Sequence, residues 1–110
     1  MIIILSFLLL SANGVESVWQ QEVLMDNERV LMVRNTFPPG TESGPHQHAY
    51  PVRTVYVVAG GELLLQPLNS EQPERTIIIE TGSALMLPAQ AHNIKNVGQS
   101  TVVLIETELK

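Results

Sequence analysis

Only three histidines occur in this chain. Two of them, His46 and His48, stand one residue apart in "GTESGPHQHAYPVRTVYVVAGG", residues 40–61. Residues two apart on a strand point to the same side. The pair can therefore aim two imidazole nitrogens at one metal ion, at about 2.0–2.1 Å. Alone, such a pair is weak evidence. The third histidine, His92, adds weight: it follows "GSALMLPAQA", a strand ended by Pro88 and a tight turn, and starts the next strand. In a closed barrel, a pair on one strand and a third ligand on a distant strand can meet inside. The next charged side chain after the pair is Arg53, which is always protonated and cannot ligate. Aimed straight at the ion, it would be repelled by up to several kcal/mol over about 4 Å at an intermediate dielectric. Arg53 must point past the ion or pair with an anion. Its planar fork fits a carboxylate bidentately, so it could bind an acidic substrate beside the metal. The alternative is a structural pair with Glu42, or a solvent-facing arginine at the strand's start.

The elements that must position these residues read as strands. Short runs rich in Val, Ile, Leu and Thr are separated by turn residues. They fall near Val18 to Met25, Val30 to Phe37, Arg53 to Val58, Glu62 to Leu68, Thr76 to Glu80, Ser83 to Leu87, His92 to Val97 and Thr101 to Thr107. From Val15 onward, no stretch has the length and period of a helix. Eight short antiparallel strands in about ninety-five residues fit an all-β, small jelly-roll barrel better than an open sheet with two long edges. "LLL" at 63–65, "III" at 77–79 and "VVLI" at 102–105 are apolar on both strand faces. A sheet face left to water should alternate, so a second copy of the chain is expected to cover the outside, giving a homodimer.

Composition sets outer limits. The chain has 110 residues, 45% of them hydrophobic and 15% charged, which suits one globular domain with one core. Net charge is -5 with the cations scattered, so no nucleic-acid surface is expected. Without cysteine, disulfides, thiolate metal sites and a cysteine nucleophile are excluded. The opening "MIIILSFLLLSANG" is apolar from Ile2 to Leu10 except at Ser6. That run is too short for a stable membrane span. It matches the apolar core of a secretory signal, with Ala12 and Gly14 as small residues before a cut at Val15, although no basic residue precedes it. The expected division is a signal over residues 1–14 and a single domain over 15–110, secreted or periplasmic. The alternative is a buried first strand in a cytoplasmic protein.

With both histidine segments in view, the chain resembles the cupin superfamily. Gly40, His46, His48, position 53 and Gly60 carry the spacing of the first cupin motif; Gly82, Pro88, His92 and Asn96 look like the second. The framing "FPPGTESGPHQH" and "IETELK" are most similar to small single-domain cupins grouped with β-alanine degradation proteins. Two departures stand out: the family's usual glutamate ligand falls at Arg53, and the turn before His92 is one residue short, with Gln90 where glycine is usual. The resemblance thus implies a three-histidine site, as in some cupin dioxygenases, or a barrel that has lost its metal. On the first reading His46, His48 and His92 hold one divalent ion (Fe, Mn, Zn, Ni or Cu), since imidazole does not choose among them. Arg53 would meet a small, anionic ligand, and the chemistry would be that of a dioxygenase or isomerase. The competing reading is a non-enzymatic binding or sensing barrel. Asn96 is expected in a turn role, and Trp19 and Phe37 to pack; Tyr50 and Gln47 point away from the histidine face if the strand is regular, or Tyr50 caps the barrel mouth. No carboxylate stands out on the pocket side as a general base.

Overall fold

Each run that the sequence marks as a strand forms one. The computed structural model describes residues 18–68 and 71–110. The apolar run 2–10 and the expected cut before Val15 lie outside the described residues. The elements are β1 (Gln20–Asp26), β2 (Val30–Phe37), β3 (His46–Gln47), β4 (Val52–Ala59), β5 (Gly61–Pro67), β6 (Arg75–Ile79), β7 (Ala84–Pro88), β8 (Ala91–Asn96) and β9 (Val102–Leu109). Among the described residues no helix is long and apolar enough to cross a membrane. The strands form a five-stranded sheet, β1-β2-β9-β4-β7, facing a four-stranded sheet, β3-β8-β5-β6. All pairings are antiparallel, which makes a jelly roll.

Strand alternation decides what enters the space between the sheets. In β4, Arg53, Val55 and Val57 are buried while Tyr56 and Val58 are exposed. In β9, Val102, Leu104 and Glu106 are buried on one face. The pairing register stacks inward residues of the large sheet in rows: Leu31, Glu108 and Arg53, then Val33, Glu106 and Val55. Asn35, Leu104 and Val57 follow, and Phe37 with Val102 closes the series. From the opposite sheet, Leu63 and Ile94 meet Phe37, Val55, Val57, Val102 and Leu104 in one cluster. Each such buried aliphatic stabilises by about 1.5–3 kcal/mol over its exposed state. The sheets do not close fully on one another. A cavity of about 680 Å³ remains between them.

Two motif glycines serve the backbone. Gly82 has φ +85°, the left-handed region that the turn into β7 requires and that side chains rarely adopt. Gly60, between β4 and β5, sits so near the Ile79 carbonyl oxygen that any Cβ would collide with it.

Candidate metal centre

The loop before β3 is stitched to β8 by backbone hydrogen bonds. The Gly40 amide donates to Asn96 O, Ser43 to Ile94 O, and Asn96 to Thr41 O, each at 2.9 Å. This pairing lays β3 against β8 with His46 opposite His92. The buried Asn96 side chain locks the far end of β8. It donates to Phe37 O and Ser100 O at 2.8 Å, and its oxygen accepts from the Gly98 amide at 2.9 Å. The turn role expected for Asn96 is thus what it performs. The short turn after Pro88 still delivers His92, only 2% exposed, toward the other two histidines.

All three histidines come together, each offering a nitrogen, and these nitrogens lie within 4.8 Å of one another. His92 Nε2 is 2.9 Å from His46 Nε2 and 3.2 Å from His48 Nε2. Two nitrogens bound at about 2.05 Å to a common ion are about 2.9 Å apart at a right angle and about 3.3 Å apart at the tetrahedral angle. The observed spacings match. The outer nitrogens are held as ligation requires. His46 Nδ1–H donates to Gly44 O at 2.8 Å, and His48 Nδ1–H to Glu108 Oε1 at 2.9 Å. Both rings therefore turn an unprotonated Nε2 toward the centre. The Gln90 amide lies 3.3 Å from His92 Nδ1, and a half-turn of it offers an oxygen to Nδ1–H.

Burial favours the neutral form of His92 and His48. Burial, then the neighbouring His46, Arg53 and His48, pushes His92 down to about 3. His48 is also lowered, by burial and Arg53, against the opposing pull of Glu108 and Glu106. A neutral imidazole is the form that binds a metal. The donor set and its spacing fit a divalent ion.

Arg53 is buried and faces the cavity. Its partner is neither Glu42 nor solvent: Nη1 bonds the buried carboxylate of Glu106, while Nε has no partner among the described residues. Glu42 instead accepts from Asn93 at 3.2 Å. Glu106 also accepts from Asn35, whose oxygen accepts from Gln21 at 3.1 Å. Two carboxylates, Glu106 and Glu108, therefore line a cavity expected to have none. Their signal was the period-2 pattern of "VVLIETEL", which puts them on the same face as Val102 and Leu104. Gln47, inside β3, is exposed where His46 is not, as strand alternation predicts, and Tyr50, beyond the strand where the chain bends, lines the cavity as a residue capping its mouth would.

The family model described as a cupin domain matches residues 33–108. The chain is 33% identical to the β-alanine degradation protein BauB of Pseudomonas aeruginosa over 89 residues, covering 80% of this chain and 90% of that one. A crystallised cupin domain from Bordetella pertussis Tohama I is 31% identical, with a TM-score of 0.76 over 84% of this chain and 93% of the other. An oxalate oxidase structure is 27% identical, with a TM-score of 0.56 over 71% of this chain and 40% of that one.

Proposed function

The chain belongs to the cupin family, and from that premise we propose that it is a metal-dependent small-molecule cupin in which His46, His48 and His92 hold one divalent ion. The observation that carries this reading is the convergence of three Nε2 atoms at 2.9 and 3.2 Å, with two of the three rings fixed through Nδ1. When bound, the ion supplies an open Lewis-acid face, the requirement of dioxygenase or isomerase chemistry on a small carboxylate. The residues of the chain do the rest. Glu108 orients His48, and the Gly44 carbonyl orients His46. Arg53, held by Glu106, presents the remainder of its guanidinium to the carboxylate of a ligand. The apolar walls exclude water from the reacting end. The names of the relatives, one tied to β-alanine degradation and one to oxalate oxidation, are in keeping with a carboxylate group on the ligand and say nothing of its body.

The experiment is oxygen consumption and product analysis on metal-reconstituted protein offered a panel of small carboxylic acids. Turnover that is lost in His48→Ala supports the enzyme. Stoichiometric binding without turnover across the panel favours the alternative, a binding or sensing cupin.

Two further features belong to this proposal. Residues 1–14 act as an export signal, so the mature chain begins at Val15 and works outside the cytoplasm; intact mass of the exported protein tests this. The chain acts as a homodimer. On the outer face of the five-stranded sheet, Met86 is 70% exposed and Tyr56 49%, with Val58 and Ile105 on the same face. Apolar side chains gathered on one sheet face mark a surface that a partner covers.

A further inference from the structure

The cavity is polar at one end and apolar along the rest. Its first row holds Arg53 and Glu108, across from the histidines. Its last row holds Phe37 with Trp19, whose rings are 6.3 Å apart. Leu31 pairs with Glu108 and Phe37 with Val102, so the two rows are six residues apart along β2. At about 3.4 Å per residue, that is about 20 Å of strand lined by one continuous cavity. Beyond the first rows its walls are Leu104, Val57, Leu63, Leu65, Ile77 and Ile79. Of the polar groups there, Gln21 donates to Asn35 and Asn35 to Glu106, while Arg75, in line with Ile77 on β6, is exposed and keeps its charge in water. A void of about 680 Å³ is no packing defect, since protein interiors leave few gaps larger than a water molecule. It is the size of a ligand pocket.

Charge at the polar end fixes the head of that ligand. Arg53 and Glu106 cancel, imidazoles that ligate an ion do so as neutral donors, and Glu108 offsets half of a divalent ion. One positive charge is left, so one negative charge completes the site. An ammonium further along would find no free carboxylate among the described residues that line the cavity, and burying it unpaired is costly. Resting on the reading of this site as a metal and carboxylate pocket, we propose that its ligand is a monocarboxylate with an apolar body of roughly six to ten carbons. The body lies along the cavity from the histidines toward Trp19. A compact polar acid or a zwitterionic amino acid would leave most of the cavity empty.

The test is calorimetric titration of the zinc-loaded full chain with acetate, butanoate, hexanoate and octanoate, together with 6-aminohexanoate and hexan-1-ol. Affinity should rise about fourfold per methylene from butanoate to octanoate, as expected for buried CH₂ groups. Hexanoate should bind at least tenfold more tightly than either 6-aminohexanoate or hexan-1-ol. Trp19, the chain's only tryptophan, should change its emission with octanoate and not with acetate. Leu65→Phe, which fills the cavity, should remove the gain with chain length; if that variant does not fold, Ile77→Phe on the neighbouring strand serves the same purpose. Affinity that is flat with length, or 6-aminohexanoate binding as well as hexanoate, overturns the proposal. Zinc content of the same samples separates the two claims. A chain-length gain without zinc sinks the metal reading alone, and zinc without the gain sinks this inference alone.

Discussion

Arg53 sits inside the molecule beside the histidines, and its burial makes Glu106 obligatory. A guanidinium only 5% exposed must meet an anion, and Glu106, 7% exposed, is that anion. Removing one partner strands the other. Arg53→Gln should therefore destabilise the fold by about 3–5 kcal/mol in urea unfolding, and adding Glu106→Gln should recover most of the loss. Equal losses in the single and double variants would deny the pair its role. Glu108 holds His48 Nδ1, on the far side of the ring from the nitrogen proposed to bind the metal. Glu108→Ala should weaken metal affinity about 10–100-fold in chelator competition, and Glu108→Gln, which keeps an acceptor, should weaken it less. The buried rings also give a pH signature. His92 lies well below its ordinary value of 6.5, near 3, because burial penalises the charged ring, and His48 is lowered too. Between pH 6.5 and 3 the unfolded chain takes up protons that the folded one refuses. The metal-free protein should thus lose stability as pH falls through that window and hold it above, as denaturation at graded pH will show. At this scale the histidines were legible because nothing else in the chain shares their chemistry. Glu106 and Glu108 were not, because a carboxylate near a chain end usually faces water. Only the strand phase, continued from Val102 and Leu104, turns them inward.

The strands themselves were readable from β-branched runs and turn residues, since local propensity and the inside-outside pattern agree along nearly every one. β3 is the exception. Two residues long, it has no pattern of its own and exists because the loop after Gly40 pairs with β8. Tyr50 could be read only as facing away or as capping the mouth for this reason: the side-to-side rule fails where the strand stops. The β4–β5 junction carries a prediction of its own. Gly60→Ala should destabilise the fold by about 1–3 kcal/mol or more, because the atom in the way is backbone and cannot rotate aside. Thermal unfolding of Gly60→Ala checks it; an unchanged midpoint would mean that the junction gives more easily than its packing implies.

For the molecule as a whole, the jelly roll gathers its chemistry at one end of the space between two sheets and leaves an apolar surface on the outside of the larger one. Met86→Glu should convert a dimer to a monomer in sedimentation, with the metal site intact, since Met86 faces away from the cavity. A single band of apolar residues on each strand would have spoken for a monomer; strands apolar on both faces, as with Ile105 beside Leu104, are what the sequence offered for the dimer. The central claim concerns the three histidines, and metal content measures it most directly. The untagged chain, reconstituted with a divalent ion and dialysed, should hold one equivalent per chain by elemental analysis. His92→Ala should hold almost none while its circular dichroism stays that of the parent. A parent that takes up no metal, or a His92→Ala variant that retains a full equivalent, would contradict the account.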